Sequence, residues 1–131
     1  MITRFQKITL VKLRSPQKNV NQEIQWLSES LGLFSERDKD KSCFRLFLEI
    51  IKTRKPVSSD ELASRVNVSR ATVIHHLNKL IATGLVDMQD NKYVLRGKNL
   101  ESTLKQVKTD MLAAYEEMEE IARKIDQTLG L

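Results

Sequence analysis

The stretch Ser58 to Leu85, SSDELASRVNVSRATVIHHLNKLIATGL, limits what this chain can fold into more than any other. Ser58 with Glu61 three residues on has the spacing of a capping box, which opens a helix. Leu62, Ala63 and Val66 give that helix one apolar stripe. Asn67 and Val68 then form a turn, and Ser69 caps a second helix over 69–83. Val73, Leu77 and Leu80 follow at steps of four and three, so they share its inner face. Gly84 supplies the left-handed residue that stops it.

The outer face of the second helix carries the chemistry. With Val73, Leu77 and Leu80 turned inward, Ala71, His75, Asn78, Lys79 and Ala82 point outward, and Arg70 and Thr72 flank its start. A solvated helix face normally mixes acids with bases, yet Ser69 to Thr83 contains no acid. Donors without carboxylates suit a polyanion. Two short helices joined by a tight turn make a helix-turn-helix pattern.

VNVSRATVIHHLNKLIATGLV resembles the helix-turn-helix signature of the ArsR-type winged-helix transcription regulators of prokaryotes and archaea, with MarR-type regulators as cousins. The shared features are the Ser-initiated second helix, Thr-Val, His-His-Leu, a Leu three residues later, and Gly-Leu-Val leading on. The resemblance spans roughly residues 37–96. It implies a mainly α fold with a small β-hairpin, and sequence-specific binding to double-stranded DNA by a homodimer. The helix 69–83 would lie in the major groove and a wing, 85–96, on the backbone or minor groove. Ser69, Arg70, Ala71, Thr72, His75, Asn78 and Lys79 are the expected contacts. Ser58 and Ser59 would anchor a phosphate through backbone N–H groups, and Lys92 and Arg96 would act from the wing.

The hairpin is also legible in the residues. Leu85 to Met88 and Lys92 to Leu95 are short apolar-rich runs around Gln89-Asp90-Asn91, and Asp and Asn tolerate hairpin turn conformations. Upstream, Ser35 to Asp38 has capping-box spacing and is expected to open a helix to about Arg54, with Cys43, Leu46, Phe47, Ile50 and Ile51 on its apolar face. Another helix is expected over 19–34, capped by Asn19 or Asn21, with Ile24, Leu27, Leu31 and Phe34 in one stripe and Trp26 beside it as a packing residue. Residues 2–13, ITRFQKITLVKL, read as a strand or extended arm, and Ser15-Pro16 breaks it.

Downstream, Leu100, Leu104, Val107, Met111, Ala114, Met118, Ile121 and Ile125 alternate steps of four and three without a break. That heptad seam predicts one long helix over 99–129 that pairs with a second copy. The alternative is a helix folded back on its own domain. The expected organisation is an arm and helix over 1–34, a winged helix-turn-helix domain over 35–97, and a dimerisation helix over 98–131.

Charge supports a division of labour. Residues 1–22 carry Arg4, Lys7, Lys12, Arg14 and Lys18 without an acid, whereas 98–131 are mildly acidic. A pI near 9.4 agrees with a polyanionic partner but does not require one. The single cysteine, Cys43, excludes an internal disulfide and suits a reducing, cytoplasmic setting. One thiol and one adjacent histidine pair also argue against a metal site, and no cofactor is expected. Neither a phosphate-binding glycine loop nor a catalytic motif is present, so an enzyme is not expected, and no apolar run reaches membrane-spanning length. The competing function is a winged helix used as a protein-interaction or assembly adaptor. Structured RNA is a weaker third reading. No residue set specifies a small-molecule effector.

Overall fold

The computed structural model describes residues 6–16, 18–33 and 41–131. Its elements are α1 (Val20–Ser30), α2 (Ser42–Lys52), α3 (Ser59–Val66), α4 (Arg70–Thr83), β1 (Val86–Gln89), β2 (Lys92–Leu95) and α5 (Leu100–Leu129). Three helices, α2 to α4, close around one core, the hairpin packs on its side, and the long helix leaves it.

The core is assembled from the expected stripes. Leu46 and Phe47 of α2, Leu62 of α3, and Val73, Leu77 and Leu80 of α4 are all fully buried, together with Leu85 where the chain enters the hairpin. Burying such side chains contributes roughly 1.5–3 kcal/mol each, which fixes how α4 is rotated and therefore which residues it shows to solvent. Cys43 lies in this core as a small apolar group, at 1% exposure.

Local capping sets the helix ends. Ser58 Oγ accepts from the Glu61 N–H at 3.1 Å, while the Glu61 carboxylate takes Arg65. Asn67, in the left-handed conformation at φ 56°, turns the chain between α3 and α4. Ser69 Oγ accepts from Thr72 N at 3.1 Å. Asn19 caps α1, and Asn99 caps α5. In the hairpin, Asp90 and Asn91 both take positive φ, the conformation of a two-residue turn that matches strand twist. The antiparallel register pairs Val86 with Leu95 and Gln89 with Lys92.

Several expectations are corrected. The Ser35–Asp38 capping box lies outside the described residues, but α2 begins at Ser42, because Lys41 is left-handed (φ 55°) and cannot continue a helix. The helix ends at Lys52 rather than Arg54. The first helix likewise stops at Ser30, followed by Leu31 and a left-handed Gly32; Phe34 is outside the described residues.

The N-terminal segment is extended but is not a strand over residues 6–16, and residues 2–5 are outside the described part. Its donors go to helix ends rather than to a neighbouring strand. Lys7 N–H donates to the Ala82 carbonyl at 2.9 Å and Val11 N–H to the Ser30 carbonyl at 2.7 Å. Gln6 Nε2 donates to the Thr83 carbonyl. The last carbonyls of a helix have no partner within it, so an extended segment lying across two such ends satisfies both sides. Trp26, half-buried, fastens the same segment through Nε1–H to the Arg14 carbonyl at 2.6 Å.

The long helix divides where the sequence shows one continuous seam. Thr103 and Val107 are buried against the domain, and Leu100 and Leu104 are partly buried there. Val107 is therefore a core residue and not a free dimer contact. From Leu112 onward every residue is exposed. Folding back applies to the first turns alone, because a helix of 30 residues extends about 45 Å and outruns its own domain.

Candidate nucleic-acid interface

The interface is built outward from the buried side of α4. Burial of Val73, Leu77 and Leu80 leaves Arg70, Ala71, His75 and Asn78 exposed, with Thr72 and Lys79 half-buried. Thr72 Oγ1 accepts from Ser69 Oγ at 2.9 Å, which orders the first turn. His75 and His76 are neighbours with ring centroids 5.6 Å apart and planes tilted by 57°. His76 turns inward and its Nε2 lies 2.7 Å from Ser42 Oγ. His75 is left on the surface with Ala71 one turn away.

Two expected contacts stand elsewhere. Lys79 Nζ reaches the Leu33 carbonyl at 3.4 Å, beneath the N-terminal segment that crosses the end of α4. Arg96 is not on an exposed edge of the wing. Its side chain is 15% exposed and forms a forked pair with Asp110 of α5, Nη1 to Oδ2 at 2.5 Å and Nη2 to Oδ1 at 3.2 Å. A guanidinium already satisfied by a carboxylate has little left for phosphate. The Asp110 hydrogen bond holds the Arg96 proton more tightly than usual, aided by the charges of Asp110 and Asp87 and opposed by partial burial.

Tertiary structure also adds groups that sequence spacing did not reveal. Asp60, in the first turn of α3, comes 3.4 Å from Arg70 Nε, so the acid-free face has a carboxylate at its rim. Val57 and Tyr93 exchange backbone hydrogen bonds at 2.9 and 2.8 Å, attaching the start of α3 to the wing. That bridge is an isolated one, and Ser58 and Lys92 are the sequence neighbours of its two residues. Two expected contacts, the α3 N-terminus and Lys92, are thereby brought to one end of the hairpin. Ser59 itself is buried, leaving backbone as its means of contact. Arg54 and Lys55, exposed in the preceding loop, lie along the same chain segment and extend the positive charge; their run of basic residues before Pro56 was the available sequence signal.

Residues 40–89 match the helix-turn-helix domain family. The matched span holds α2, α3, α4 and β1 and omits the long helix. Among solved structures, the chain is similar to the ST1889 protein of the thermoacidophilic archaeon Sulfolobus tokodaii, at 27% identity over 69% of this chain and 97% of that one, with a TM-score of 0.43. It is also similar to the transcriptional regulator PA3341, at 22% identity over 82% of this chain and 87% of that one, with a TM-score of 0.45. No curated protein matches the sequence.

Among the described residues no cluster of three or more His, Cys, Asp or Glu is arranged to hold a metal ion, and no helix is long and apolar enough to cross a membrane.

Proposed function

We propose that the chain is a sequence-specific regulator of transcription that binds double-stranded DNA as a homodimer. The observation that carries this reading is the outer face of α4 in the helix-turn-helix domain. Arg70, Ala71, His75 and Asn78 stand exposed above a fully buried Val73–Leu77–Leu80 face, and α4 itself has no acid. In the proposed complex α4 enters the major groove. Ala71 admits close approach, and Thr72, His75 and Asn78 meet base edges. Arg70 leaves Asp60 for phosphate. The α3 N-terminus at Ser58 and Ser59, with Lys92 of the wing, holds the adjacent backbone. Lys79 and Arg96 shape this surface from behind.

The adaptor reading would need large apolar side chains on the outer face of α4. Ile74 is half-buried, and the exposed positions Ala71, His75 and Asn78 are small or polar. The decisive measurement is binding to random duplex DNA at two salt concentrations, followed by selection of preferred sites. A linear fall of log affinity with log salt and a recovered palindromic site are expected. Salt-independent or undetectable binding would refute the proposal.

The homodimer would form through the exposed part of α5. Tyr115, Met118, Ile121, Ile125 and Leu129 are 50–66% exposed along it. A contiguous apolar face of that kind marks an interaction surface.

A further inference from the structure

The free part of α5 also carries a charge pattern that specifies how two copies would lie. With Met111, Met118 and Ile125 at heptad position a, the d positions are Ala114, Ile121 and Thr128. The flanking e positions are Tyr115, Ala122 and Leu129, and the flanking g positions in the free segment begin with Glu117 and Lys124. A shallow groove runs along this seam, lined by Ala114, Glu117, Met118, Ile121, Ala122 and Ile125.

Two arrangements can bury the seam, and charge separates them. In a parallel pair each g residue meets the e residue five positions on in the other helix. Glu117 would then face Ala122 and Lys124 would face Leu129, with no opposite-charge pair. In an antiparallel pair a meets d and g meets g. Centring the two-fold axis between Glu119 and Glu120 places Met118 against Ile121 and Ala114 against Ile125. The same register sets Glu117 opposite Lys124, twice by symmetry, and the large Tyr115 opposite the small Ala122. Ion pairs at these flanking positions set partner orientation in paired helices.

We infer that a second copy of this chain covers the seam in the antiparallel sense, with Glu117 of each copy paired to Lys124 of the other. The inference rests on the homodimer reading above and deepens it. Lys124 now lies 3.8 Å from its own Glu120 with its side chain 62% exposed, so it is within reach of a partner. The geometry of the rest of the helix agrees. Exposure runs from Leu112 through Leu131, so the proposed axis falls well inside the exposed segment. Beyond Met111 toward the N-terminus, Val107 is already covered by its own domain. The two domains would therefore sit at opposite ends of the pair. Their Val107 positions would be about 37 Å apart along the axis at 1.5 Å per residue.

The test uses the full chain. Sedimentation equilibrium is measured for the parent, Glu117→Lys, Lys124→Glu and the double reversal, with circular dichroism to confirm unchanged helicity. Each single reversal creates two like-charge contacts and is expected to raise the dimer dissociation constant about tenfold, and the double reversal to recover most of the loss. A spin label on Gln127→Cys provides a second readout. Antiparallel copies hold the two labels about 22 Å apart along the axis, whereas parallel copies hold them near the ~10 Å helix separation. A dimer with short label distances, or one that the double reversal does not rescue, overturns the antiparallel pairing and leaves the homodimer standing. A chain that remains monomeric at every concentration overturns both, while DNA binding is judged by its own measurement.

Discussion

Arg96 and Asp110 tie the wing to the long helix. The guanidinium, one residue past β2, forks onto a carboxylate in the third turn of α5, and both side chains are mostly buried. Gln6 Nε2 joins the same carboxylate at 3.1 Å, so wing, long helix and N-terminal segment converge on one acid. Replacing Asp110 by Asn should lower stability by about 2 kcal/mol, the scale of a charge-assisted hydrogen bond lost from a mostly buried site. Urea unfolding monitored by circular dichroism measures it. The raised Arg96 pKa fixes the sign on the alkaline side: while Asp110 is ionised, the stabilisation is present below the ordinary arginine value and is lost as pH rises through the raised one. Unchanged stability in the Asn variant would show that the junction is held by packing alone.

Arg70 and Lys79 should separate in their effects on DNA. Arg70→Ala is expected to reduce the slope of log affinity against log salt by about one, as for one lost phosphate contact. Lys79→Ala should leave the slope nearly unchanged, since its ammonium lies at the Leu33 carbonyl. Fluorescence anisotropy on a labelled duplex at several salt concentrations distinguishes them. Equal effects would mean that Lys79 leaves its position on binding.

Asp60 competes with phosphate for Arg70. Asp60→Asn should tighten DNA binding several-fold without altering the fold, because the pair is highly exposed and such pairs contribute little to stability. Weaker binding in this variant would instead make Asp60 a contributor to recognition.

His76 holds α4 against α2 through Ser42. Ser42→Ala is expected to cost about 1 kcal/mol, and His76→Ala about 3 kcal/mol, because the second adds a cavity to the lost hydrogen bond. Both shifts are read from denaturant midpoints. An exposed control, His75→Ala, should leave stability unchanged while weakening DNA binding.

Ile121→Asp should abolish association while leaving each domain folded. The side chain is half exposed in the single chain and central in the proposed pair. Sedimentation velocity should show a monomer, and DNA affinity should fall by more than tenfold as the second half-site is lost. A persistent dimer would place the contact elsewhere.

Much of the fold was legible because its signals are local. Ser58, Asn67, Ser69 and Gly84 act within about four residues of their own position, and caps and turns are decided at that range. The inward set Val73, Leu77 and Leu80 follows from helical period alone. The seam of α5 was legible as a period, but the period carries no mark where Val107 enters the domain and Met118 leaves it. That division depends on how far the core reaches along the helix.

The sequence by itself thus determined the helix-turn-helix, the hairpin, the long helix and the acid-free face of α4, since each follows from spacing along one stretch of chain. Tertiary structure decided which of those charges remain exposed for a partner. Arg96 meets Asp110 fourteen residues away, Lys79 meets the Leu33 carbonyl across forty-six, and Asp60 of α3 reaches Arg70 of α4. The N-terminal segment, basic and extended in sequence, lies across two helix ends because their carbonyls need donors. Such pairings depend on where packing places side chains and backbone groups distant in sequence, which no local spacing records.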